Sequence, residues 1–532
     1  AYFLPGRTQS IMVAQISYAG CPTVSFQDPR FAASLAYMED LYPVSHVDWY
    51  LFPSGKPILT STPLNIPGVV PGGCGQGWSN LLNLMIWQFY GVTGMPYNWS
   101  LYGLIDDCVP GGGGCGQAIP NVAAGYLGGV DTMAHEVGHN MNLVHAPCGD
   151  VGDYDAGFPH YANPGGGEYP WASIGEVGVR LRGGLTLFDP ARTYDIMSYC
   201  GGDPTPWISP YNYWNLSSFE IWQASADRTA ADLRQVIAVG QVLGPGALQL
   251  QPLWVRTMPD QTTGAGSGPY HVEVQDAGGG ELASGDFAPD HHESASPDAG
   301  AFAAVLPYPQ NAARVVFSYQ GQVLQTISAS PHAPTVTITY PVGGEVWAAS
   351  GTYTVTWQQS DADGDALLSN VLYSPDHGAT WAPAAVNITG TTLAVDAAEL
   401  AGGGQALFRV EVNDGLNTTS ATSGAVRVPN KPPLVLVLSP ASDTVVPPGR
   451  IVLLHGIVTD REDGPLSGAG LTWSSDRDGP LGSGANVAAP ALSRGWHTIT
   501  VTAHDSDGLS GSAAVRVLVG QRMWLPAVIK RR

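Results

Sequence analysis

The sequence predicts a multidomain chain, a mixed α/β domain followed by all-β sandwiches. Three observations carry this reading. The chain has 532 residues, more than one hydrophobic core organises, and that length suggests roughly three or four domains. Helix-length apolar periodicity is confined to about the first 225 residues. Beyond them, short runs alternate apolar and polar residues between clusters of Gly, Pro, Asn and Asp, the pattern of strands and turns. The boundaries expected are 1–225 for the α/β domain, 226–331 for a first sandwich, 332–430 and 431–520 for two Ig-like sandwiches, and 521–532 for a tail.

Each element has its own justification. "QSIMVAQISYA" is a strand. "DPRFAASLAYMEDLY" is a helix with Pro29 in its first turn, where a missing N–H costs nothing. "VDWYLF" is a second strand, and "SNLLNLMIWQFYG" an apolar helix stopped by glycine. "WSLYGLIDDC" is a third strand. The glycine-rich "VPGGGGCGQ" follows, then "AIPNVAAGYLGG" and a helix carrying histidines. "ISPYNYWNLSSFEIWQ" is a late helix with Ser209 as N-cap and Pro210 at the first position. Later runs such as "LRQVIAVG", "YHVEVQDA" and "ARVVFSYQG" read as strands of the first sandwich, and "SPHAP" as a linker. The last two sandwiches share one plan. Each opens with "PTVTITYP" or "PLVLVLSP", passes through "VTW" or "LTW", and closes on a strand bearing an Asp-Gly turn.

Composition narrows function. The formal net charge is −22, with 22 Lys and Arg against 44 Asp and Glu. Nucleic acid is excluded as a partner, because phosphate binding needs clustered cations. No apolar run approaches the ~18–20 residues that span a bilayer. The cysteines are Cys21, Cys74, Cys108, Cys115, Cys148 and Cys200, an even number within the first 200 residues. They read as disulfides formed in an oxidising compartment, hence an extracellular, secreted or surface-associated protein. Sequence does not choose among the fifteen pairings of six cysteines; those expected are Cys21–Cys74, Cys108–Cys115 and Cys148–Cys200. The start at "AYFLPG" suits a chain whose leader has been removed.

The chemistry concentrates in "DTMAHEVGHNMNLVHAPCG", residues 131–149. On a helix, residues four apart lie about 6 Å along the axis and about 40° round. His135 and His139 therefore aim at one point, where zinc accepts imidazole nitrogens. Glu136 sits beside that point rather than on it. On a continuous helix His145 would lie about 9 Å further along and about 240° round, out of reach. The chain must turn back near residue 142, through a left-handed residue, and asparagine follows glycine as the usual choice. Asn142 stands where the reversal is needed.

"HEVGHNMNLVH" resembles the metzincin pattern H-E-x-x-H-x-x-G-x-x-H, with Asn142 in place of the glycine. The methionine turn of that family would be "YDIMSYC", residues 194–200, with Met197 its methionine. The resemblance implies a zinc endopeptidase with His135, His139 and His145 as ligands and Glu136 as general base. It also implies an oxyanion role for Tyr199, whose plain alternative is a packed or exposed tyrosine. It implies a twisted sheet whose edge strand lies antiparallel to the substrate, an edge that "AIPNVAAGYLGG" would supply. Within the clan, "HAPCG…YDIMSYC" is similar to secreted bacterial proteases of the mucin-cleaving and pappalysin-like kinds. A Cys148–Cys200 bridge would tie the third ligand to the methionine turn; the alternative is free thiols.

Weaker motifs remain. Asp361, Asp363 and Asp365 alternate in "SDADGDA" and resemble the start of a calcium loop, without its downstream Glu; an ordinary acidic turn is the alternative. "SPDHGATW" matches the Asp-box, whose usual meaning is a stable hairpin turn. His291 and His292 lie in an acidic loop. The cofactors expected are Zn2+ and, second, Ca2+. The expected function is zinc-dependent hydrolysis of extracellular proteins or glycoproteins, with glycan or cell-wall contact through the sandwiches. The alternative is a non-enzymatic adhesin or surface-structure protein with a relict protease domain.

Overall fold

The computed structural model describes residues 8–520 apart from 19–20, 53–56, 61–63, 65–73, 75, 94–98, 109–112, 118–120, 150–153, 183–184, 201–204, 219–231, 260–266, 290–297 and 467. The 225/226 boundary, the His291–His292 loop and the 521–532 tail lie outside the described residues. Among the described residues the chain is mostly β-sheet.

The N-terminal region is built on one sheet. Strand β1 (Thr8–Tyr18) is followed by helix α1 (Pro29–Leu41), β2 (His46–Leu51), the short β3 (Ile58–Thr60), α2 (Gln76–Thr93), β4 (Trp99–Ile105), β5 (Gly114–Gln117), β6 (Val122–Tyr126) and α3 (Thr132–Asn140). The sheet order is β2-β1-β4-β6-β5, with β3 beside the end of β1. Strands β2, β1, β4 and β6 run parallel, while β5 is antiparallel to β6. Helices cover both faces, which is why β1, β4 and β6 are buried almost throughout. Helix α1 starts as its sequence requires: the Asp28 side chain accepts from the Arg30 N–H, with Pro29 in the first turn.

Two expectations need correction here. The edge strand is "GCGQ", not "AIPNVAAGYLGG". Val122–Tyr126 of the latter forms β6, which is interior because Gly114–Gln117 folds back alongside it. The disulfides are Cys21–Cys108 and Cys74–Cys115, with Cys148–Cys200 as the third. Strands β1 and β4 are parallel neighbours, so the segments leaving their C-terminal ends emerge side by side. That brings Cys21 and Cys108 to a Cα separation of 5.7 Å. Cys115, wholly buried on β5, meets Cys74 just ahead of α2 at the same separation, 5.7 Å. Nearness in sequence does not govern either pair.

After α3 come a two-stranded hairpin, β7 (Gly178–Arg180) with β8 (Thr186–Phe188), and helix α4 (Pro210–Ser218). Three pairs of antiparallel-rich sheets then follow, spanning Asp232–Ser328, Thr335–Val428 and Leu434–Val519. Alternating burial along strands such as Gly495–His504 marks sheets with one face in a core and one in water.

The sandwiches are packed on the N-terminal region rather than strung from it. Helix α2 buries Trp78, Leu81, Leu82, Met85 and Ile86 in one cluster that also holds Ile237, Trp254, Val305 and Leu372 from the first two sandwiches. On the other side, Leu436 and Leu438 of the last sandwich join the cluster of α1. The "SPHAP" linker is pinned as well: Ser330 Oγ donates to Asp365, and Asn417 Nδ2 donates to the Ser330 carbonyl at 3.0 Å.

Candidate metal centre

Helix α3 stops where the histidine spacing requires. Its last residue is Asn140, Met141 is the cap, and Asn142 takes φ +62°. The Leu143 N–H reaches back to the Gly138 carbonyl at 3.1 Å, and the Asn142 N–H to the His139 carbonyl at 2.9 Å. This is a Schellman ending, two otherwise orphaned carbonyls satisfied by one left-handed residue. The reversal returns His145 to the helix. Its ring centroid lies 4.8 Å from that of His139 and 5.4 Å from that of His135. One ligand nitrogen from each of the three histidines lies within 4.8 Å of the others.

The rings are held in a defined state. His135 Nδ1 lies 2.8 Å from the Ile196 carbonyl, and His139 Nδ1 lies 2.8 Å from the Leu143 carbonyl. A carbonyl can only accept, so each Nδ1 carries the proton and each Nε2 keeps its lone pair. The two Nε2 atoms are 3.2 Å apart. Tetrahedral zinc with bonds of about 2.0–2.1 Å places adjacent ligand nitrogens about 3.3 Å apart. His139 and His145 are wholly buried and His135 nearly so. Three converging imidazoles, two of them with this spacing and tautomer, are a donor set that fits zinc.

Glu136 is buried beside them, 5% exposed. The edge strand β5 closes on it through two glycines on one face. A Cβ on Gly114 would fall 2.6 Å from Glu136 Oε1, and one on Gly116 would fall 2.4 Å from the Glu136 carbonyl oxygen. Asn140 Nδ2 donates to the Gln117 carbonyl at 2.7 Å, tying the same strand to the end of α3. The glycine-rich segment is thus what lets an edge strand approach the carboxylate-bearing helix. Sequence reading marked that segment and missed its role; the G-x-G spacing was the available signal.

The methionine turn lies beneath. Met197 is wholly buried, and a Cβ on Gly138 would fall 2.8 Å from its sulfur. The Ala146 N–H donates to the Met197 carbonyl at 2.9 Å, and the Cys148–Cys200 bridge joins the segment after His145 to the turn. Tyr199 is 40% exposed, with its ring stacked 5.6 Å from His135 and tilted 4.8 Å from His145. Asp195 organises all of this and was missed in sequence. It is wholly buried and accepts from the N–H groups of Met197 and Ser209 and from Asn212 Nδ2, each at 2.8 Å. Burial raises its pKa even against those hydrogen bonds. Ser209 Oγ accepts from the Asn212 N–H at 3.2 Å, capping α4.

The acidic loop is arranged differently from expectation. Asp361 and Asp365 are grouped with Asp414, and Asp363 is not part of the group. Asp363 turns to the linker instead, accepting from the His332 N–H and lying 2.8 Å from His332 Nδ1. The register of two distant loops decides this, and alternation within one loop does not. The Asp-box is a closed turn: Asp376 accepts from Ser374 Oγ, the Thr380 N–H and Thr380 Oγ1 at 2.7, 2.9 and 2.6 Å.

No protein-family profile and no curated protein matches the chain. Solved structures that match are built of Ig and fibronectin-like domains. Fibronectin(III)-like modules of CbhA from Clostridium thermocellum share 20% identity, cover 35% of this chain and 95% of theirs, and give a TM-score of 0.16. The insect immune protein hemolin shares 12% identity over 55% of this chain and 73% of its own, with a TM-score of 0.20. The N-terminal four Ig domains of Dscam1 isoform 8.4 share 12% over 53% and 70%, at 0.18. At these scores the likenesses carry no argument about function. Among the described residues no helix is long and apolar enough to cross a membrane.

Proposed function

We propose that the chain is a zinc-dependent endopeptidase of metzincin type, exported from the cell and acting on extracellular proteins or glycoproteins. One observation carries the reading: three buried imidazoles converge, two of them, His135 and His139, with Nδ1 protons committed to carbonyls, beside the buried carboxylate of Glu136. Zinc held by His135, His139 and His145 would supply a Lewis acid and a nucleophile usable at neutral pH. Glu136 takes a proton from the attacking water on its carboxylate and returns it to the leaving amine. The Tyr199 hydroxyl donates toward the developing oxyanion, a role its position against His135 and His145 supports. An extended peptide pairs with the edge strand β5, which sits over Glu136. Three disulfides favour the export assignment.

The test is a digest of casein and of mucin with and without a chelator, paired with metal analysis. Zinc at one equivalent per chain and chelator-sensitive cleavage are expected. Glu136→Gln should keep the metal and lose turnover by about 100-fold or more; full activity would refute the general-base role. A second reading rests on the three sandwiches that make up residues 232–520: a non-enzymatic adhesin. It predicts surface binding that is equal in wild type and Glu136→Gln, with no peptide released by either.

A further inference from the structure

The contact between the first two sandwiches encloses a second polar site. Strand Trp254–Pro259 ends one sheet of the first sandwich, and strand Thr418–Thr422 ends one sheet of the second, beside Gly403–Asn413. These strands bound a cleft of about 260 Å³ lined by Arg234, Arg256, Arg409 and Glu411, with Thr419 and Ser420 among the hydroxyl groups at its wall. Among the described lining residues, three guanidinium groups stand against one carboxylate. The whole chain is negative by 22, so this concentration of cations runs against its general character.

Each guanidinium is held in place. Arg256 Nη2 donates to Glu411 Oε1 at 2.9 Å, with side-chain exposures of only 10% and 9%. The Arg409 guanidinium lies 4.0 Å from the Trp381 ring centroid, and that of Arg234 lies 5.0 Å from the Tyr308 ring. Planar guanidiniums fixed by stacking lose little further freedom when an anion arrives. Glu411 pairs directly with Arg256, and among the described residues no carboxylate forms a direct ion pair with Arg234 or Arg409, while Arg256 repels Arg409 in this half-buried site. A bound anion relieves that repulsion. The second Glu411 oxygen, Oε2, is buried and has no hydrogen-bond partner among the described residues. An acceptor in that position selects a ligand that also brings a donor, which a bare inorganic anion does not.

We infer that this inter-sandwich cleft binds a small hydroxylated anion of the acidic-sugar class, its acid group on Arg409 and Arg234 and a hydroxyl on Glu411. Size agrees. Pockets for drug-sized ligands begin near ~300 Å³, so this one takes a single sugar unit. Extended polyanions such as nucleic acid need a basic stripe instead. The site is independent of the metal centre and would serve either functional reading as a tether to acidic glycans.

The test is calorimetric titration of the full chain with D-glucuronate, D-glucose and inorganic sulfate. Glucuronate should bind, with glucose weaker by about tenfold or more. Arg409→Gln should weaken glucuronate by about tenfold or more, since a charge-assisted contact is lost. Ser420→Tyr, at an exposed position on the wall, should block binding while leaving the thermal midpoint unchanged. If Arg409→Gln fails to fold, Ser420→Tyr decides. Equal binding of glucose and glucuronate, or no effect of Ser420→Tyr, overturns the site. So does the absence of glucuronate binding up to roughly 20 mM. Sulfate binding as tightly as glucuronate overturns the sugar assignment.

Discussion

Asn142 carries the geometry on which the candidate metal centre depends. At φ +62° an ordinary side chain crowds the backbone, at a cost of about 1–2 kcal/mol. Asparagine and glycine escape most of that cost. Asn142→Gly should therefore fold with near wild-type stability, while Asn142→Ala should lose about 1 kcal/mol or more, read as a lower denaturant midpoint. Metal content should follow the same order, because His145 is placed by this reversal. Equal stability of the two variants would show that Asn142 is not what ends the helix. This much was legible in sequence, because its determinants are local: three histidines at fixed spacing can meet only if the chain turns, and one residue between them favours turning. Asp195 was not legible. Its work is to gather N–H groups from Met197 and Ser209 together with the Asn212 side chain, and nothing in "YDIMSYC" announces which later segment will fold over it.

Elements were legible in proportion to how local their determinants are. The start of α1 is written in Asp28 and Pro29, and that of α4 in Ser209 and Pro210, because caps involve neighbours in sequence. Strand order is not local. Nothing in "GCGQ" says that it lies outside β6, and the disulfide partners followed from that order rather than from spacing. Once β5 is placed, its glycines acquire a purpose that can be tested. A methyl group on Gly116 would sit 2.4 Å from the Glu136 carbonyl, a rigid backbone atom. Gly116→Ala should push β5 off α3 and cost about 1–3 kcal/mol. It should also impair cleavage of long substrates more than retention of zinc, since the histidines are not touched. A variant with wild-type stability would mean that β5 is loosely held.

At the scale of the whole molecule, the sandwiches close around the N-terminal region, and one polar junction reports on that closure. Arg182, following β7, donates to Glu39 at 2.8 Å and Asp40 at 2.9 Å, both on α1, and to His455 Nδ1 of the last sandwich at 2.8 Å. Burial lowers the His455 pKa to about 4, helped by the positive charge of Arg182 and by His46. Burial also raises that of Glu39, in spite of Arg182. Above pH 6.5 His455 is neutral whether the chain is folded or not, and its contribution is complete. As the pH falls, the unfolded chain takes up a proton that the native chain refuses until about pH 4. Stability is therefore lost progressively between those values, by on the order of 3 kcal/mol in full. Glu39 acts in the opposite sense at the acid end, because the native state protonates it first. The two are separated by His455→Gln, which removes the first effect alone. Thermal midpoints at pH 7.5 and 5 should fall further for wild type than for His455→Gln. An identical fall in both would place the acid sensitivity elsewhere and leave this junction indifferent to pH.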